Sequence, residues 1–219
     1  MIFRELELWV DPKPRHGHAA MAMDEWLLET RTVPMLRIYR WDGHWASFGY
    51  FGKKSEAMSA VEGVEWVRRW TGGGVVDHRA DWTYSLIVPK SCEVATMKGG
   101  ESYRAIHRIL VEVLKAEGDA PALSEVSGRA GGMCFENPVE HDVLDGTGAK
   151  MAGAAQRRGK AGLLHQGSVA KAADSHLRGE LFAESLSESW WEEDIYVDEE
   201  RVEELVAAKY GRTEWLERR

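Results

Sequence analysis

Two stretches of this 219-residue chain carry residue types that could do chemistry. In the first, Arg68, Arg69 and Thr71 run into Gly72, Gly73 and Gly74, and His78 follows. Three consecutive glycines in a β context forgo side-chain packing and cost backbone entropy, so something should approach the chain closely there. A glycine bulge or wide turn is the plainer reading. The spacing is neither G-x-G-x-x-G nor G-x-x-x-x-G-K-[ST], which removes a dinucleotide fingerprint and a P-loop. The adjacent arginines suit an anionic or carbonyl-bearing ligand. In the second stretch, Cys134 follows Gly131-Gly132-Met133, and Lys150 lies further on among small apolar residues. A thiolate is a nucleophile, and a nearby cation lowers the pKa of the thiol. Alone, a cysteine is usually a small core hydrophobe and a strand lysine a solvated edge residue. Their placement around one run of strands is what singles them out as a pair.

These residues must be held by mostly β structure. Residues 2 to 9 alternate as a strand, and Ala20, Met23, Trp26 and Leu27 recur at helical spacing from His18 to about Arg31. LRIYRW and WASFGY read as two strands joined in a hairpin at Asp42-Gly43. A short helix is expected over Ser55 to Val61. A strand over Val64 to Arg69 enters the glycine run, and VVDH and WTYSLIV leave it. From Ser102, read as a cap, to Gly118, read as a stop, Tyr103, Ile106, Leu110, Val113 and Leu114 mark an amphipathic helix covering one sheet face. ALSEV, HDVL, AKMAGAAQR and LLHQGSVA then read as a meander, and the acidic C-terminal part reads as helical.

Composition bounds the class. Hydrophobic residues at 44% and charged residues at 29% are ordinary globular usage. A net charge of −8 argues against a nucleic-acid binder working by bulk attraction. No apolar run is long enough to cross a bilayer and the N-terminus lacks a signal-peptide stretch, so a cytoplasmic protein without membrane contact is expected. Two cysteines make no disulfide scaffold; Cys92 reads as an ordinary loop thiol. No histidine or cysteine spacing reproduces a metal site, and no structural metal is expected. With neither repeat nor linker, residues 1–219 are expected to form a single domain.

Several segments taken together resemble a known family. Arg68-Arg69-Trp70-Thr71-Gly72-Gly73-Gly74-Val75-Val76-Asp77-His78, followed by WTYSLIVP, resembles the signature of the lipoate-protein ligase and octanoyltransferase superfamily, which is related in fold to biotin-protein ligases. Gly148-Ala149-Lys150-Met151-Ala152-Gly153-Ala154-Ala155-Gln156-Arg157-Arg158, leading to Leu164-His165-Gln166-Gly167-Ser168-Val169, resembles the second signature with its essential lysine. LRIYRWDGHWASFGYF resembles the early strand pair. The resemblance implies an α+β fold, with mixed and antiparallel sheets flanked by helices. It implies substrate-binding roles for Arg69, Gly72, Gly73, Gly74, His78, Gly153, Ala155, Gly167 and Ser168. Two departures stand out. The family more often has Gln-His-Gly-Ser where this chain has His165-Gln166-Gly167-Ser168, and a one-residue displacement in a strand sends a side chain to the other face. The loop Arg79-Ala80-Asp81 also differs from the usual Asp-x-Glu or Asp-x-Gly.

Cys134-Phe135-Glu136-Asn137-Pro138 resembles the cysteine segment of the octanoyl-carrier-protein-dependent transferases. That resemblance implies catalytic roles for Cys134, which would hold the acyl group as a thioester, and for Lys150. The donor would be acyl carrier protein, and the acceptor a lysine of a lipoyl domain or glycine-cleavage H protein. No cofactor is expected. Arg68, Arg69, Lys150, Arg157, Arg158 and Lys160 are expected to gather positive charge at the mouth of the site. The chain length argues against the accessory domain of the ligases. Two alternatives stay open: an ATP-dependent lipoate ligase domain, which would need ATP and Mg, and a non-catalytic lipoyl- or biotinyl-binding protein.

Overall fold

The computed structural model describes residues 1–126 and 139–218. In chain order its elements are β1 (Phe3–Val10), α1 (Gly17–Thr30), β2 (Met35–Tyr39), β3 (Trp45–Phe48), α2 (Lys54–Met58), β4 (Glu65–Arg68), β5 (Val76–Asp77), β6 (Trp82–Pro89), α3 (Glu93–Thr96) and α4 (Gly99–Ala116). There follow β7 (Ala122–Leu123), β8 (Val143–Leu144), β9 (Lys150–Arg158), β10 (Gly162–Val169), α5 (Ser175–Leu186), β11 (Ser187–Glu192), α6 (Glu199–Leu205), a wide π turn over Val206–Tyr210 and α7 (Thr213–Leu216). Eight strands form one mixed sheet in the order β11-β1-β2-β6-β10-β9-β8-β7, and β4-β3-β5 form a second.

Alternation along the central strands sorts the large sheet into two faces. Ile38, Tyr84, Leu86 and Leu163 pack with Ile106, Leu110 and Val113 of α4 and Phe182 and Leu186 of α5. Tyr39, Ile87 and Leu164 face the other way, against Met21, Met23 and Leu27 of α1 and Val202 and Leu205 of α6. The α4 helix keeps its apolar stripe inward and stops at Gly118, whose φ of +89° suits glycine.

The meander is present as expected, β7 to β10 being successive antiparallel neighbours. Three expectations are corrected. Gly43 does turn the chain at φ +88°, yet β2 and β3 are not a hairpin. Both edges of β2 are taken by β1 and β6, and β3 pairs instead with β4 and β5 in the small sheet. Ser102 is not a cap: the helix begins a turn earlier, where the Glu101 carboxylate accepts from Lys98 N at 3.3 Å, and Ser102 is buried against Gln156. In the C-terminal part, Trp190 and Trp191 belong to β11, an edge strand parallel to β1.

Candidate active site

The glycine run lies between the two sheets, and what approaches it closely is first of all the chain itself. A Cβ on Gly49 would sit 2.3 Å from the Gly73 carbonyl oxygen, so backbone lies directly on backbone. Gly73 has φ +87°, which favours glycine, and Ala155 packs across from it. The arginines brace this loop. Arg69 donates to the carbonyls of Gly72 at 3.0 Å and Gly74 at 2.9 Å. Arg68 donates to those of Tyr50, Gly52, Leu216 and Arg218. Burial, then the nearby Arg218, lowers the pKa of Arg68. The basic mouth is therefore corrected: Arg68 and Arg69 are buried loop braces, Lys150 is ion-paired, and Arg157 lies over the rings of Tyr50 and Trp70.

A cleft of about 380 Å³, including its open mouth, runs alongside the glycine loop. Arg69, Gly73, His78, Gly153, Ala155, Gly167 and Ser168 line it, together with Tyr39, Trp41, Thr83 and Gln166. Seven of the nine substrate-binding positions expected from sequence thus meet at one cleft; Gly72 and Gly74 adjoin it as the carbonyls that hold Arg69.

At one end, His78 stacks on Trp41 with ring centroids 4.0 Å apart. Its Nε2 lies 2.6 Å from Ser47 Oγ and its Nδ1 2.7 Å from Asp81 Oδ2. These distances resemble a hydrolase relay, but Ser47 is fully buried and accepts a 2.6 Å bond from Arg69. A guanidinium only donates. The Asp81 carboxylate only accepts, so Nδ1 donates to it, while Ser47 bridges the Arg69 guanidinium and Nε2. The same Asp81 oxygen accepts from Thr83 at 3.0 Å and from Ser168. A chain of hydrogen bonds thus links Arg69, Ser47, His78 and Asp81 and fixes the ring that walls the cleft.

Beside Gly153, at the other end, Lys150 is buried behind the lining: its Nζ lies 2.6 Å from Asp142 Oδ2, with side chains 3% and 0% exposed. Tyr103 Oη donates to Asp142 Oδ1 at 2.5 Å and accepts from Ala154 N at 2.9 Å. Glycine at 153 makes room, because a Cβ there would lie 2.5 Å from Lys150 Cε and 2.7 Å from Nζ. Behind this end are two buried imidazoles. Burial pushes His107 down to about 4 and His165 well below its ordinary value, and burial raises the phenol of Tyr84 on the neighbouring strand β6. His165 bonds Tyr84 and Gln156 on the far face of β10, whereas Gln166 faces the cleft, donating to Asp24 at 2.7 Å and accepting from Thr71 at 2.6 Å. The exchanged order of these two residues has the consequence that strand alternation requires.

Cys134 lies outside the described residues. Among the described residues no group of three or more His, Cys, Asp and Glu side chains is arranged to hold a metal ion, and no helix is long and apolar enough to cross a membrane. Sequence reasoning missed Gln166, Ser47, Asp81, Asp142, Tyr103 and the fully buried Arg37, which binds Asp24 at 2.7 Å and Asp11 at 2.9 Å. Burial works against the Arg37 charge, and the two carboxylates outweigh it and raise its pKa. The one advance signal was charge inside strand-like runs, at Arg37 in LRIYRW and Asp142 in HDVL.

Comparison with known proteins agrees with this geometry. The family described as "Lipoyl protein ligase A/B catalytic domain" matches residues 16–207. Octanoyltransferase LipM of Kyrpidia tusciae is 35% identical over 70% of this chain and 62% of its own length. The protein of that name from Geobacillus kaustophilus is 34% identical over 74% and 64%, and that from Oceanobacillus iheyensis is 29% identical over 82% and 69%. The chain thus spans about two thirds of the length of these relatives. Among solved structures, the Thermoplasma acidophilum protein Ta0514 with bound lipoic acid superposes with a TM-score of 0.76 at 23% identity, covering 98% of both chains. A lipoate-protein ligase A bound with ATP matches equally well, at 0.76 and 23%, over 99% and 98%. These two likenesses show the fold alone.

Proposed function

Because the chain belongs to the family of lipoyl protein ligase A/B catalytic domains, we propose that it is an octanoyltransferase of protein lipoylation, acting as one cytoplasmic catalytic domain without a cofactor. The observation that carries this reading is the ion-paired Lys150 packed over Gly153, one of the glycines and alanines that line the cleft, in a chain whose relatives are octanoyltransferases. The octanoyl chain lies in the cleft, where each buried methylene contributes about 0.8 kcal/mol. The Cys134 thiolate attacks the thioester carbonyl of octanoyl carrier protein. A new carbon–sulfur bond forms, the old one breaks, and the carrier thiol leaves with a proton. Lys150 donates to the carbonyl oxygen as negative charge develops. The unprotonated amine of an acceptor lysine, on a lipoyl domain or glycine-cleavage H protein, then attacks the acyl-enzyme. The amide forms and the thiol is regenerated as the amine gives up its proton.

The test is incubation with octanoyl carrier protein without ATP, followed by intact mass measurement. An adduct of one octanoyl group is expected, lost in Cys134→Ala and discharged by an acceptor domain. Acylation of the acceptor only when ATP, Mg and free acid are supplied would instead establish the ligase reading. Tight binding of a lipoyl or biotinyl group with no transfer under either condition would establish a binding protein.

A further inference from the structure

Lys150 is held by a carboxylate that does more than neutralise it. Asp142 Oδ2 accepts from Lys150 Nζ at 2.6 Å and from the Val139 amide at 2.8 Å. Asp142 O accepts from the Ser124 amide at 2.8 Å. Ser124 in turn accepts from the His141 amide through its carbonyl, at 2.8 Å, and from the Val126 amide through its hydroxyl, at 3.2 Å. Residues 124 to 126 and 139 are those flanking 127–138, the stretch that contains Cys134. One buried residue therefore binds the lysine and both flanks of that stretch.

Two further features mark this as a built site. His141 has φ +69°, the one non-glycine residue in the left-handed region among those described, and such strain persists only where surroundings enforce it. Here His107 Nδ1 bonds the His141 carbonyl at 2.7 Å. The pairing of β8 with β9 also slips between Val143 and Leu144, beside the start of the lysine-bearing strand. A buried ion pair is poor evidence for stability as such. Spending one on Lys150, with Tyr103 on the second carboxylate oxygen, fixes where the lysine points.

We propose that Asp142 is a positioning residue, seconded by Tyr103, which aims the Lys150 ammonium over Gly153 and ties the flanks of the cysteine-bearing stretch to the same point. This rests on the transferase reading above. It acts through Lys150, so its effect should vanish when Lys150 is absent.

The test is a double-mutant cycle on single-turnover acylation by an octanoyl thioester, read by intact mass. Asp142→Asn is expected to slow acylation about 100-fold, the order of loss when a preorganised oxyanion donor is removed. Tyr103→Phe should slow it about 10-fold, given one weaker support. In the Lys150→Ala background, Asp142→Asn should cost less than about 3-fold. Wild-type rates in a folded Asp142→Asn protein, or losses that multiply with that of Lys150→Ala, overturn the proposal. A second measurement needs no acyl chemistry: acetylation of Lys150 by acetic anhydride, located by peptide mass. It should be at least about 10-fold faster in Asp142→Asn once the ion pair is gone, and an unchanged rate also overturns the proposal. Should wild type form no acyl adduct, the transferase reading falls, and the acetylation result still decides whether Asp142 holds the lysine.

Discussion

The two ends of the cleft are built on different physics. At the His78 end, geometry is set by a chain of hydrogen bonds linking Arg69, Ser47, His78 and Asp81. At the Lys150 end it is set by a buried ion pair with one aromatic support. Hydrogen-bond chains fix ring orientation and tautomer and leave a wall that a ligand can lean on. An ion pair delivers a charge to a point. The proposed reaction, which would hold an apolar chain at one end and work on its carbonyl at the other, would use both.

The sharpest way to break the contrast is to remove the charge. Lys150→Met should lower transfer at least 1000-fold, to near the uncatalysed rate, as expected for loss of the principal transition-state donor. It should also cost about 3–5 kcal/mol in urea unfolding, because Asp142 is left buried and uncompensated. Gly153→Ala separates aim from charge. Its Cβ would overlap the end of the Lys150 side chain and press on Asp142 Oδ1 at 3.2 Å, with no backbone in the way, so transfer should fall about 100-fold while the melting temperature stays within a few degrees. Gly167→Ala is the control, because there the Cβ would lie 2.2 Å from the buried Tyr84 ring. Loss of about 1–3 kcal/mol of stability is expected instead. At the opposite end, Ser47→Ala leaves Arg69 and His78 without their shared partner. KM should rise about 10-fold with kcat nearly unchanged, and an equal fall in kcat would place His78 in the chemistry.

The smallest effect concerns the imidazole behind the Lys150 end. His107 titrates at about 4 in the folded protein, against about 6.5 in an unfolded chain. Between those values the unfolded chain binds the extra proton. The stability associated with keeping His107 neutral is therefore complete above about pH 6.5 and lost as pH falls toward 4, at up to about 1.4 kcal/mol per pH unit. His165 is shifted in the same direction. Denaturant midpoints at pH 7 and 5 check this, and His107→Gln should flatten the dependence.

How much was legible beforehand differs along the chain. The meander from Ala122 to Val169 and the helix ending at Gly118 followed from alternation and periodicity, because local burial and turn chemistry decide them. The Asp42-Gly43 turn was legible as a turn but not as a hairpin, since two strands joined by a short loop can still belong to different sheets. The glycine run was legible as a place of close approach. That the approaching group is the backbone of Gly49 was not, because nothing local to residues 72–74 encodes residue 49.

The sequence by itself determined the two signature segments, the order of most strands and, through alternation, that His165 and Gln166 face opposite ways. Only the tertiary structure decided what each charged side chain does. Arg68 and Arg69, read as a basic mouth, became loop braces because six carbonyls from three segments, residues 50–52, 72–74 and 216–218, converge on them. Asp142, unremarkable in HDVL, became the partner of Lys150 because the meander folds the two onto one another. The reason is range: burial pattern and turn type are carried by neighbours in sequence, whereas the partner of a buried charge is chosen by whatever the folded chain brings within hydrogen-bond distance.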